Sequence, residues 1–274
     1  MSRRYMTLAA ARQLATRLSE RDYEVLRQVS ELRFVSGAQL ARLCFAAEGE
    51  AAAGARAARR SLLRLTTLSV LARLPRPVGG VRAGSAGFVY HLGIGGQRLA
   101  ELRGLQPERS RRRSLVPGTL FVAHTLQVAE LHTRLREADR SGRIELLKLV
   151  AEPSCWRAIG GLGNQRDYLK PDSYVRLGVG AFEDSYFIEV DRGTEGSRAL
   201  DRQLELYVRY QASGAEQTAQ GVFPLVLWLT TTEERADAIR SCVDRLPRAA
   251  RGLFAVAPFD VGTDQLTGAV ASRT

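Results

Sequence analysis

The sequence predicts a mixed α/β protein of two domains, a helical N-terminal domain closed by a β-hairpin and a later domain in which strands and helices alternate. Three observations predict it. Apolar residues recur at helical spacing through three consecutive segments between Ser19 and Thr67, and a Pro/Gly/Arg-rich turn between two short apolar runs follows them. From Leu120 onward, amphipathic helical stretches alternate with short apolar runs. Positive charge is confined to the first part: residues 1–116 carry 21 arginines against 8 acids, a balance of +13, whereas residues 117–274 carry 19 basic residues against 21 acids, a balance of −2.

The first helix is expected over Ser19–Arg33. Ser19 and Asp22 form a capping pattern, and Val25, Leu26, Val29 and Leu32 fall on one face. Ser36 and Gly37 open a short second helix with Leu40 and Leu43 inward, joined to the first by a tight turn. Ala51–Thr67 is the third. Arg56, Arg60 and Arg64 recur every four residues with Arg59 beside them, opposite Ala58, Leu62 and Leu65, so one face packs and the other is a basic stripe. Val70–Leu74 reads as a strand, Pro75–Gly87 as a hairpin tip, Phe88–Leu92 as the return strand and Ile94–Arg103 as a helix.

That succession is the order of a winged helix, which places its third helix in the major groove of double-stranded DNA and its hairpin on the backbone. Arg56, Arg59, Arg60 and Arg64 are the expected groove residues, and Arg76 and Arg82 the expected phosphate contacts. Gly93, Gly95 and Gly96 resemble a phosphate-binding loop only superficially, since Arg98 holds the place of the last glycine. The domain is read as residues 1–104. Residues 105–117, with Arg109, Arg111, Arg112 and Arg113 among Ser and Pro, read as a basic linker able to lie along phosphates.

Composition narrows the function classes. With 274 residues, 45% apolar and 25% charged, the chain has room for two modest globular domains. No run approaches the ~20 apolar residues of a membrane span, and Arg12 and Arg17 interrupt any signal-peptide core, so a cytoplasmic protein is expected. Cys44, Cys155 and Cys242 are far apart and odd in number, which argues for buried thiols rather than a disulfide framework or zinc site. Lys148 and Lys170 are the sole lysines, so the abundance of arginine is a habit of the whole chain and carries less weight than the asymmetry of charge.

The second domain, residues 118–274, reads as αβββαβαβ. A helix over Leu120–Asp139 leads to a strand over Ile144–Val150 and a Gly/Asn-rich stretch at 160–166. One strand is expected from Leu169 to Val175 and its hairpin partner over Ser185–Asp191. A helix over Ser197–Ala212, a strand over Pro224–Leu229, a helix over Glu233–Leu246 and a strand over Leu253–Ala257 complete it. Asp172 follows a proline on one strand, while Glu189 and Asp191 alternate onto one side of its partner. Three carboxylates converging there would suit Mg2+ or Mn2+, hard cations that activate water and neutralise charge on a phosphodiester.

Pro171-Asp172 followed by Glu189-Val190-Asp191 resembles the PD-(D/E)XK nuclease superfamily, which implies a restriction-endonuclease-like fold for the second domain. The winged-helix order, His124-Thr125-Leu126, Pro171-Asp172, the run from Glu189 to Glu195 and the helix carrying Gln203 and Tyr207 are together similar to the replication-relaxation family of plasmids and other mobile elements, over roughly residues 20–260. The resemblance implies a DNA-associated bacterial protein with Asp172, Glu189 and Asp191 as metal and catalytic residues.

The departures bear on chemistry. Asp191 stands where the superfamily has its catalytic lysine, and an anion cannot stabilise a developing phosphorane as an ammonium does. In relatives whose lysine has migrated to the next helix, the corresponding residue here is Gln203, the fourth member of the expected catalytic set. Arg192, Arg198 or Arg202 could supply the charge, and the sequence does not select among them. Glu130 is a further metal-site candidate, with a plain structural role the stronger reading. Three functions remain open at this point: a DNA-binding accessory protein with a degenerate nuclease-like domain, an active Mg-dependent endonuclease, and a transcriptional or replication regulator that forms a homodimer through its second domain. Other mobile-element proteins are possible partners.

Overall fold

A computed structural model describes residues 5–46, 51–74, 87–105, 117–159, 167–179 and 181–268. The class is mixed α/β, and the chain divides into two compact units, residues 1–133 and 134–274. Among the described residues no helix is long and apolar enough to cross a membrane.

The first unit begins with α1 (Leu8–Ala15), capped by the Thr7 side chain on the Ala10 amide. In α2 (Glu20–Leu32) the Ser19/Asp22 capping box is complete, and Val25, Leu26, Val29 and Leu32 are buried as the periodicity predicts. The two-residue strand β1 (Val35–Ser36) runs into α3 (Gly37–Cys44), whose own capping box joins Ser36 and Gln39. Then come α4 (Ala51–Thr67), β2 (Leu71–Arg73), β3 (Val89–Leu92) and α5 (Ile94–Leu102). The three strands form a small antiparallel sheet in the order β1-β3-β2, with Val35 opposite Tyr90 and Leu71 opposite Leu92.

The glycines at the start of α5 have a packing role. A Cβ on Gly93 would meet the Ser69 carbonyl oxygen at 2.4 Å and one on Gly96 the Val70 oxygen at 2.1 Å, so α5 lies directly on the backbone entering β2.

The long helix α6 (Thr119–Arg140) contains the division between the units. The Gln39 amide donates to the Leu126 carbonyl and the Arg42 guanidinium to Glu130, at 2.9 and 2.7 Å, which ties the first turns of α6 to α3. The division therefore falls inside a helix, and residues 106–116 of the expected basic linker lie outside the described residues.

The second unit contains β4 (Glu145–Ala151), β5 (Arg157–Ile159), β6 (Asp167–Leu169), β7 (Ser173–Val179), β8 (Phe182–Asp191), α7 (Ser197–Ala212), α8 (Ala215–Gln220), β9 (Leu225–Thr230), α9 (Glu233–Val243), α10 (Arg248–Arg251), β10 (Phe254–Pro258) and α11 (Phe259–Leu266). Its main sheet has the order β10-β9-β8-β7-β4. Pairing is antiparallel from β4 to β8 and parallel from β8 to β10, as expected where α7 and then α9 provide the crossovers. Tyr174, Phe187, Val226 and Trp228 pack with Leu200, Leu204 and Tyr207 of α7 and with Ile239 and Cys242 of α9.

The single strand expected over 169–175 is in fact two. β6 pairs with β5 in a separate ribbon and β7 starts afresh at Ser173, because Pro171 between them has no amide to continue a ladder. A buried ion pair secures the ribbon: Arg157 meets Glu216 through bonds of 2.8 and 3.0 Å, and Tyr210 donates to the same carboxylate at 2.7 Å.

Candidate functional site

On α4 the sequence sets two faces apart. Ala58, Leu62 and Leu65 are buried, whereas Arg56, Arg59, Arg60 and Arg64 are exposed. The four arginines are not equivalent. Arg64 donates to the Asp22 carboxylate at 2.5 Å and to the Arg17 carbonyl, and Ser61 donates to the other oxygen of Asp22. Burial raises the Asp22 pKa, and the bonds from Arg64 and Ser19 more than reverse this, holding the carboxyl below its ordinary value. Arg64 thus fastens α4 to the start of α2. Arg76, Arg82, Arg111, Arg112 and Arg113 lie outside the described residues.

In the second unit Asp172, Glu189 and Asp191 are between 6% and 9% exposed, so the sheet and its helices cover all three carboxylates. Asp172 stands just before β7. Its amide donates to the Ile188 carbonyl, and its Oδ2 accepts from the Val190 amide at 2.7 Å, which clips the carboxylate to the middle of β8. Alternation places Glu189 and Asp191 on the same face of β8, opposite Trp228 and Thr230 of β9. Two different helices then engage them.

α7 engages Glu189. Tyr207 donates its hydroxyl to Glu189 Oε1, and Gln203, one turn earlier on the same helix, also hydrogen-bonds the carboxyl. Burial, reinforced by the charge of Asp172, pushes the Glu189 pKa well above the ordinary carboxylate range, and the two hydrogen bonds only partly offset this. Burial and the neighbouring Glu189 likewise push the Tyr207 phenol up. Glu189 is therefore a carboxyl whose proton is held more tightly than usual, inside a polar knot of Asp172, Gln203 and Tyr207.

α9 engages Asp191. Arg235 grips it through Nε and Nη2 at 2.6 and 2.8 Å and also donates to the Glu195 carbonyl, while the Gly193 amide donates to Asp191 Oδ1 at 2.7 Å. The three carboxylates thus do not form one cluster. The described residues bring Asp172, Glu189 and Gln203 together and hold Asp191 in a neutralising pair, and among them no group of three or more His, Cys, Asp or Glu is arranged to hold a metal ion. Glu130 is engaged by Arg42 and Gln39 within the first unit.

Over residues 26–226 the sequence matches the family model described as replication-relaxation. The chain belongs to the replication-relaxation family. No curated protein and no solved structure matches it. The family match covers α4, Asp172, β8 with its two carboxylates and the Gln203–Tyr207 turn, and ends before α9, so Arg235 lies beyond the matched residues.

Arg235 was absent from the sequence-derived set, and no local signal pointed to it. It is 44 residues from its partner, whereas Arg192, Arg198 and Arg202 are near in sequence. Of those, Arg198 and Arg202 project from α7 as exposed residues. Tyr207 had a signal, being one helical turn after Gln203 and on the same face.

Proposed function

We propose that the protein is a DNA-binding protein of a plasmid or other mobile element that acts in replication or relaxation, with a winged helix in its first unit and a nuclease-like second unit that is catalytically degenerate. The observation that carries the reading is the face of α4. Arg56, Arg59 and Arg60 are exposed opposite a buried apolar stripe, on a helix belonging to the part of the chain with a balance of +13. The order α2, β1, α3, α4, β2, β3, with β3 central in the small sheet, supports the winged-helix assignment.

The carboxylates support degeneracy. A Mg2+ or Mn2+ centre needs ionised oxygens with open coordination sites and, for phosphodiester cleavage, a cation beside them. Here Glu189 is buried, hydrogen-bonded by Tyr207 and Gln203 and biased toward its neutral form, and Asp191, in the lysine's place, is neutralised by Arg235. The residues present do not fit such a metal, and no catalytic step is assigned to one.

Two measurements on the full chain test the reading. A duplex DNA fragment should be retarded in a gel with affinity falling steeply as salt rises, because neutralised phosphates release counterions. Supercoiled plasmid should stay intact with Mg2+ or Mn2+. Salt-insensitive binding, or none, overturns the first half, and prompt metal-dependent nicking overturns the second in favour of an active endonuclease.

A further inference from the structure

The outward face of α7 borders an open cleft of about 580 Å3 whose other wall is β6 and the residues after it. Lys170, Arg202 and Arg209 converge on it, and Tyr168 lines it from the β6 wall. Arg202 and Arg209 are seven residues apart, two turns along one face of α7, while Leu204 and Tyr207 point into the core. The Lys170 ammonium sits 5.1 Å from the centre of the Trp156 ring. Several arginines of this unit are matched with acids, as in Arg134–Asp260, Arg240–Glu233 and Arg245–Asp201, whereas the exposed Arg198, Arg248 and Arg251 make no ion pair among the described residues. Arg202 and Arg209 make no such pair among the described residues, although Asp167 and Glu205 also border the cleft.

What sets Lys170, Arg202 and Arg209 apart is that they converge on one cleft beside an aromatic ring, the arrangement that tracks a phosphodiester backbone and stacks a base. The volume falls in the range of small-ligand pockets, about 300–1,000 Å3, which is nucleotide scale and not the width of a duplex.

We propose that this cleft binds a single DNA strand, with Lys170, Arg202 and Arg209 on its phosphates and Tyr168 against a base. The proposal deepens the DNA-binding reading by adding a strand contact that is separate from α4. It also gives Lys170-Pro171-Asp172 a second meaning, since two residues carry the chain from the cleft to the carboxylates. Asp167 and Glu205 leave the cleft a net charge of only one, which makes binding modest and sensitive to salt.

The test measures fluorescence anisotropy of labelled dT20, and of a labelled 20-base-pair duplex, with the full chain. The variant Lys170→Ala/Arg202→Ala/Arg209→Ala should lose about tenfold or more in dT20 affinity, and its salt slope should fall by about 2, from three single-strand phosphate contacts at about 0.7 each. Its duplex binding should stay within about twofold of the wild type. Arg59→Ala/Arg60→Ala should show the reverse pattern, Arg202→Lys/Arg209→Lys should retain dT20 binding, and Glu205→Gln should tighten it. Equal dT20 affinity in the wild type and the triple variant overturns the proposal, as does a wild type that binds the duplex but not dT20. A wild type that binds dT20 through these residues but ignores the duplex would sink the α4 reading and leave the cleft standing.

Discussion

Asp191, at the end of β8, is held by Arg235 of α9 through two parallel hydrogen bonds of 2.6 and 2.8 Å. The pair is largely out of solvent, with side-chain exposures of 5% for Asp191 and 17% for Arg235. Breaking such a pair from one side leaves an uncompensated buried charge, at a cost of about 3–5 kcal/mol, whereas removing both charges together is often neutral. Arg235→Met should therefore lower the stability of the second unit by that order, and Asp191→Leu/Arg235→Met should recover most of the loss. Urea denaturation of the full chain checks both. A double variant no more stable than the single would mean that Arg235 acts through its bond to the Glu195 carbonyl instead.

The proposed DNA contact of Arg59 and Arg60 and the structural bond of Arg64 are separable by mutation. Arg59→Ala/Arg60→Ala should leave the melting temperature unchanged and cost about 1–3 kcal/mol of duplex binding per residue where the side chain reaches a base edge. Arg64→Ala should lower stability by about 1–2 kcal/mol, a value discounted for the exposure of its guanidinium, because it strips a buried carboxylate of its cation. Thermal melts together with gel shifts distinguish the two. An unchanged melt for Arg64→Ala would assign Arg64 to DNA with the others.

Much of the architecture was legible because it is written in local patterns. α4 and α7 have the bounds that periodicity set, and the Ser19 cap fixed the start of α2. α1 escaped notice because eight residues make a marginal helix alone, and this one gains its order by burying Ala11 and Leu14. The β5–β6 ribbon has strands of three residues, too short to display a period. At the site, alternation along β8 correctly put Glu189 and Asp191 on one face, but which helix covers each is a property of the crossovers. Sequence spacing holds no information that α7 reaches one carboxylate and α9 the other.

Glu189 gives a pH signature of definite sign. Its pKa in the fold lies well above the ordinary value, while in the unfolded chain it returns to about 4.3. Below that value both states hold the proton. As pH rises through the window between the two values, the unfolded chain releases its proton and the folded chain does not, so stability falls with rising pH. Glu189→Gln keeps the shape and a hydrogen-bonding carbonyl for Tyr207 but cannot titrate. Its stability relative to the wild type should therefore increase as pH rises above the ordinary carboxylate value, as measured by urea denaturation. A parallel pH profile for the two proteins would show that Glu189 ionises normally.

Gln203→Lys tests whether the centre is degenerate for want of one cation. The glutamine already hydrogen-bonds Glu189 and is only half-buried, so a lysine there can keep its stem against α7 and place its ammonium beside the carboxyl. A neighbouring cation favours the charged form of Glu189, which would stand next to Asp172 as a second carboxylate able to ligate a divalent ion. The variant should bind Mn2+ by calorimetry where the wild type does not, and it should nick supercoiled plasmid above the wild-type background. Supplying a missing charge stabiliser is worth about a hundredfold to a thousandfold in rate at a preorganised site, so an increase well short of that would mean that the carboxylates are not positioned for cleavage. Asp172→Ala in the same background should abolish both effects, since it removes the other ligand and leaves the Val190 amide without its acceptor. If the lysine variant neither binds Mn2+ nor loses the pH signature of Glu189, the knot of Asp172, Glu189, Gln203 and Tyr207 is structural, and the second unit serves the protein as a scaffold.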